Sequence, residues 1–328
     1  MNDRTHMHHA LTLAARGLGR VAPNPAVGCV IVSPEGRIVG RGWTQDGGRP
    51  HAEAMALAQA GEAARGATAY VTLEPCAHFG KTPPCADALV DAGVARVVAA
   101  VEDPDPRVKG QGFAKLRVAG IEVVTGVSEK EATELNAGFF LRIRENRPLV
   151  TIKLAQGSDH KSIPPPGADR WITGAAARRY AHLLRAQHDA ILVGVNTVIE
   201  DDPELTVRLP GLEKYSPLRV VLDRKGRMPK TAKLAQPGSL AGTLVLAGDI
   251  PTVLATLAGR GVTRLLVEGG ATVARAFADV ADRLELFTAP HALGDKAGGD
   301  IDALSLNFLR VNKRAVGVDT LESFVRRA

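Results

Sequence analysis

Apolar positions along the chain fall into short runs that switch between the two-residue period of strands and the 3.6-residue period of helices. Residues 11–16 read as part of a helix. Residues 26–32 and 37–42 are apolar runs split by Pro34-Glu35-Gly36, which predicts a hairpin. Residues 51–64 carry helical spacing and many alanines. Then come a strand at 68–73, a helix at 85–92, a strand at 95–101, a helix at 113–119 and a strand at 122–126. The charge-dense stretch 142–148 ends on a proline, and a fresh apolar run starts at 149–154, so a domain seam is placed there. Beyond it the pattern predicts helices at 175–186, 252–258 and 271–278. Strands are predicted at 190–193, 219–222, 243–246, 264–267 and 284–289. Alternating strands and helices in both halves predict two α/β domains, residues 1–146 and 147–328.

Composition changes this picture only at the margins. At 328 residues with 45% apolar and 23% charged positions, the chain suits two folded domains and excludes wholesale disorder. No run offers 18 uncharged apolar residues, and the polar start Met1-Asn2-Asp3-Arg4 is unlike a secretion signal, so a cytoplasmic protein is expected. Three cysteines cannot make a disulfide framework. The net charge of +6 is uneven: 16 basic and 16 acidic residues up to Asn146, 25 against 19 beyond it. Without a basic run interleaved with aromatics, small anionic ligands explain the excess as well as a nucleic acid would.

The first candidate chemistry lies in His51-Ala52-Glu53, at the start of a predicted helix, with Pro75-Cys76 after a predicted strand and Cys85 nine positions later. One imidazole and two thiolates are three N/S donors, the number a catalytic zinc takes while keeping a fourth position for water. Glu53 is placed to reach the same cavity without binding the metal and so to move protons. The order His-x-Glu, Pro-Cys, Cys matches the zinc nucleobase deaminases, although eight residues rather than two separate the cysteines. A structural zinc module stays open, with His78 as a fourth ligand. Cys29 reads as core, and His6, His8 and His9 read as solvent-facing.

Pro23-Asn24-Pro25-Ala26-Val27-Gly28, His51-Ala52-Glu53 and Glu74-Pro75-Cys76-Ala77-His78-Phe79-Gly80-Lys81-Thr82-Pro83-Pro84-Cys85 resemble the deaminase half of the bifunctional riboflavin-biosynthesis deaminase/reductases. The resemblance implies a cytidine-deaminase-like α/β/α domain. It also implies one zinc per chain on His51, Cys76 and Cys85, proton transfer by Glu53, and substrate contacts from Asn24, Lys81 and the turn Asp103-Pro104-Asp105-Pro106. That family often has His where Thr44 stands and Asn where Asp105 stands.

The second half resembles the reductase half of the same family through Trp171-Ile172-Thr173, Arg185-Ala186-Gln187, residues 193–198, residues 201–208 and Val267-Glu268-Gly269-Gly270-Ala271-Thr272. This implies a dihydrofolate-reductase-like α/β domain using NADPH. Ala155, Trp171, Thr197, Asp201, Gly270, Ala271 and Thr272 would meet the cofactor. Lys153, Asp169, Arg185, Asp201, Leu205, Arg208 and Glu268 would meet the substrate, with the two arginines suited to its phosphate. No dinucleotide GxGxxG run supports a Rossmann reading. His160 stands where the family has glycine, and Asp169 where it has serine, so an altered or impaired reductase is one alternative. A nucleic-acid-editing deaminase is another, and it would need a basic first half. The expected partner is a small phosphorylated pyrimidine, with no nucleic acid or membrane, in a homo-oligomer.

Overall fold

The computed structural model of the chain describes residues 2–79, 83–106, 108–236, 242–299 and 307–327. It divides into two compact units, Met1–Glu145 and Asn146–Ala328.

In the first unit the sheet runs β2 (Ile38–Trp43), β1 (Gly28–Val32), β3 (Thr68–Val71), β4 (Arg96–Ala99), β5 (Glu122–Thr125). The hairpin strand β1 is antiparallel to both neighbours, and β3, β4 and β5 are mutually parallel. Every residue of β1 is buried, as expected of a central strand covered on both faces. The covering helices include α1 (Asp3–Ala14), α2 (Ala52–Ala60), α3 (Cys85–Asp91) and α4 (Gln111–Val118). Helix α2 lies against the backbone of β2: a Cβ on Gly42 would come 2.1 Å from the Ala52 carbonyl oxygen, so only glycine admits this approach. That contact seats the N-terminus of α2, where the candidate chemistry lies, against the sheet.

Several expectations change. Residues 142–145, in the stretch read as the seam, form the last turn of helix α6 (Ala137–Glu145), which follows α5 (Glu129–Leu135) and ends where the two units part. Of the charges there, Arg144 and Glu145 are exposed, whereas Arg142 is half-buried. His6 is buried, with its ring 4.9 Å from Tyr70, because α1 packs its inner face on the sheet. Cys29 is core, as expected.

In the second unit the sheet order is β12 (Phe308–Val316), β13 (Asp319–Arg326), β11 (Arg283–Thr288), β6 (Leu149–Gln156), β10 (Arg264–Val267), β7 (Ala190–Gly194), β8 (Leu218–Leu222), β9 (Thr243–Leu246). From β11 to β9 all neighbours are parallel; β12 and β13 add an antiparallel edge hairpin. That hairpin goes unpredicted because β12 is exposed along most of its length and so lacks an alternating pattern. Helix α7 (Ala175–Ala186) agrees with its sequence pattern. Helix α8 (Val195–Asp201) goes unpredicted, and α10 (Ala271–Phe277) follows β10. Parallel strands ending on one edge leave a crevice at their carboxyl ends, where ligands bind in α/β folds.

Candidate active sites

His51 sits at the N-cap of α2, Cys85 is the first residue of α3, and Cys76 lies beyond β3. The His51 Nδ1 is 3.3 Å from the Cys85 Sγ and 3.7 Å from the Cys76 Sγ. The three donor atoms lie within 4.8 Å of one another. Two of the donors, His51 and Cys85, stand at helix starts, so local helix geometry fixes their positions. The Cys85 N–H donates to the Cys76 sulfur at 3.3 Å. Hydrogen bonds from Cys85 and then His51 hold the Cys76 thiol well below its ordinary range, against the opposing effect of burial. Cys85, sharing its proton with that thiolate, is pushed up. The two sulfurs thus divide one negative charge, and a divalent cation bound there would displace the second proton.

Two thiolates and an imidazole suit zinc by donor chemistry. Among the described residues this is the only such group, and neither Glu53 nor His78 joins it. The carboxyl of Glu53 is 3% exposed and raised to about 7, by burial first and by the Cys76 thiolate second. It opens on a cavity of about 270 Å³ shared with Asn24, His78, Asp103, Asp105 and Arg142. A buried acid poised near neutrality beside a three-donor metal centre can both take and give a proton.

The loop bearing Asn24 is fixed from two sides. The Asn136 side chain accepts from the Ala26 N–H at 2.9 Å and donates to its carbonyl at 3.0 Å. Thr44 accepts from the Val27 N–H at 3.0 Å and donates to the Pro25 carbonyl at 3.2 Å. Thr44 therefore has a structural task where the family often has histidine. Sequence reasoning gives Asn136 no role, since its partner lies 110 positions away. Lys81 lies outside the described residues.

In the second unit a cavity of about 480 Å³ is lined by Trp171, Arg185, Thr197, Asp201, Leu205, Arg208 and Glu268, which the topology gathers from five segments. Lys153 and Ala155 lie on β6, with the Lys153 Nζ 5.9 Å from the Phe287 ring centre. Burial lowers the Lys153 pKa. Gly270 caps α10, whose first residues are Ala271 and Thr272. A Cβ on Gly269 would come 2.4 Å from that of Val273, whereas one on Gly270 would meet nothing within 4 Å. The first glycine therefore admits the helix, and the second leaves open space for a ligand.

Arg185 departs from expectation. Its Nε and Nη2 donate to the two Glu268 carboxylate oxygens at 2.7 and 2.9 Å, and its Nη1 donates to the Thr206 carbonyl at 3.0 Å. The fork expected at a phosphate is turned to a buried carboxylate. Burial alone would raise the Glu268 pKa; the Arg185 charge outweighs it and holds the carboxyl at about 2. Leu205 is buried at φ 55°, a conformation that costs a branched residue about 1 kcal/mol or more and that clusters at functional sites. His160 also takes a left-handed φ of 62°, so the histidine does not remove the glycine-like turn. Its neighbour Asp159 accepts from the Leu293 and Gly294 N–H groups, both at 2.9 Å. Asp169 accepts from the Trp171 N–H at 3.0 Å, the kind of turn a serine also forms.

Fold and site together define a class: a zinc-dependent deaminase joined to a reductase. Residues 1–101 match the cytidine and deoxycytidylate deaminase zinc-binding region, and residues 148–320 match the RibD C-terminal domain. The chain is 44% identical to the riboflavin biosynthesis protein RibD of Aquifex aeolicus, covering 96% of this chain and 95% of that one. It is 42% identical to RibD of Escherichia coli, covering 91% and 90%. A structure of Acinetobacter baumannii RibD superposes with a TM-score of 0.90 at 39% identity over 99% of each chain. A Thermotoga maritima diaminohydroxyphosphoribosylaminopyrimidine deaminase/5-amino-6-(5-phosphoribosylamino)uracil reductase does so at 0.90 and 35%, again over 99% of each. The chain belongs to the RibD family of riboflavin biosynthesis proteins.

Proposed function

We propose that the chain carries out two consecutive steps of riboflavin biosynthesis. The first unit removes the 2-amino group of 2,5-diamino-6-(5-phosphoribosylamino)pyrimidin-4(3H)-one by hydrolysis. The second reduces the ribosyl group to ribityl with NADPH. The observation that carries this reading is the His51, Cys76 and Cys85 cluster beside a buried Glu53.

His51, Cys76 and Cys85 would hold zinc, which when bound supplies the Lewis acidity that brings the pKa of water to about 7. Glu53 takes the proton that water loses and passes it to the departing nitrogen, so that ammonia leaves. Burial raises its pKa, which favours the protonated form it needs to deliver a proton. Asn24, Lys81, Asp103 and Asp105 would contact the ring and its substituents. In the second unit NADPH, when bound, would supply the hydride for C1′ of the ring-opened ribosylamino group. Ala155, Trp171, Thr197, Asp201 and Gly270-Ala271-Thr272 would hold the cofactor. Glu268 and Lys153 would face the reacting sugar, with Leu205 and Asp169 lining it. Arg208, half-exposed at the cavity rim, is the guanidinium presented to the phosphate, whereas Arg185 holds Glu268 in place. A cytoplasmic homo-oligomer completes the reading.

The test supplies purified protein with the diaminopyrimidine nucleotide, with and without NADPH. Ammonia release in both arms and NADPH oxidation in one are expected. Ammonia without NADPH oxidation would favour the variant reading in which the second unit is impaired. Neither signal would defeat the proposal.

A further inference from the structure

Glu74 opens the Glu74-Pro75-Cys76 motif but is not among the metal donors. It is 3% exposed, and among the described residues no ion pair is formed by it. Its carboxylate instead collects four backbone amides from one distant segment. Oε2 accepts from the Asp103 N–H at 3.2 Å and the Gly110 N–H at 3.0 Å. Oε1 accepts from Gly112 at 2.9 Å and Phe113 at 3.4 Å. The last two belong to the first turn of α4, whose own N-cap, Gly110, has no side chain to offer. A helix start left without a local cap, facing a buried carboxylate, is stabilised by that negative charge. Both sides fit closely: a Cβ on Gly112 would come 2.0 Å from the Pro75 carbonyl oxygen.

The two ends of this strut matter to one cavity. Glu74 is two residues from the donor Cys76, and the amides it holds bracket Asp103, Asp105 and Val108, which line the same cavity as His51 and Glu53. Building on the deaminase reading above, we infer that Glu74 is a positioning residue that sets the spacing between the metal side of the pocket and the Asp103–Asp105 wall facing the substrate ring. It touches no reacting atom. Misplacing the groups that position a substrate by about 1 Å costs about 100-fold in kcat/KM.

The test uses the full, zinc-loaded chain. Glu74→Gln keeps the volume but sets an NH₂ where one oxygen now accepts two N–H groups. It is expected to lower kcat/KM for ammonia release about 100-fold, mainly through KM, with zinc still at one per chain. Amide exchange at Asp103, Gly110, Gly112 and Phe113 should speed up. Combined with Asp103→Asn, its effect should be less than additive, because both changes act on one wall. An unchanged KM, additive effects, or loss of zinc as the primary defect would each overturn the inference. Should E74Q fail to fold, Glu74→Asp keeps the charge but withdraws it by one methylene, and the same readings apply. Wild-type protein that releases no ammonia would instead remove the deaminase reading, and amide exchange alone would then decide whether Glu74 holds the wall.

Discussion

The two candidate sites are held together by different means. In the first unit the backbone does the holding: helix starts carry His51 and Cys85, and amides of residues 103–113 grip Glu74. In the second unit charged side chains hold one another: Arg185 with Glu268, Arg208 with Glu204, Lys233 with Asp202. The first kind of site needs its fold and a metal. The second needs its pairs intact and ionised. The exposed pairs contribute little because water screens them, so the burden falls on the buried Arg185–Glu268 pair.

Stripping zinc with a chelator should break the comparison most sharply. Ammonia release should vanish and return on adding zinc, while NADPH oxidation with deaminated substrate continues. Loss of both activities would deny that the units work separately. Next in size, Glu53→Gln should slow deamination about 10²- to 10⁴-fold with zinc content unchanged by metal analysis, since it removes only proton transfer. Full activity in that variant would take Glu53 out of the mechanism.

In the other unit, Arg185→Met leaves Glu268 buried and unpaired. It should destabilise that unit by about 3–5 kcal/mol in urea unfolding and abolish reduction, yet spare deamination. The pH dependence follows from the same burial. Glu268 is held at about 2, below its ordinary 4.5, so the stability it contributes is present above pH 4.5 and lost as pH falls towards 2. His188 is pushed by burial to about 3 from 6.5. The unfolded chain takes up a proton that the folded one refuses, so this contribution is whole above pH 6.5 and declines below it. Unfolding between pH 6 and 5 should show a slope from this residue of about 1.4 kcal/mol per pH unit, absent in His188→Gln. The smallest effect expected is that of Asp169→Ser. Serine can keep the bond to the Trp171 N–H while removing a charge, so KM for the phosphorylated substrate should fall about threefold or less; a large rise would show that the Asp169 charge itself is needed to bind the substrate.

Legibility follows the same division. The His51, Glu53, Cys76 and Cys85 constellation could be read from spacing because each residue sits at or near an element end and local rules place those ends. Strands and helices with clear periods, such as residues 175–186 and 264–267, match the structure closely. Helices α5, α6 and α8 escaped notice. So did the β12–β13 hairpin, whose exposed edge strand needs no apolar face.

Taken alone, the amino-acid order pointed to His51, Cys76, Cys85 and Glu53 as candidates and determined the alternation that makes two α/β units, since motif spacing and periodicity are local; the fold is what brings the three donors, up to 34 positions apart, together. Only the tertiary structure decided that Arg185 faces Glu268 rather than a phosphate, that His6 is buried and that Asn136 clamps Ala26. Those outcomes rest on contacts between residues 64 to 110 positions apart, or on one helix face meeting a sheet. Desolvation chooses such partners, and it acts only once the chain has closed around them.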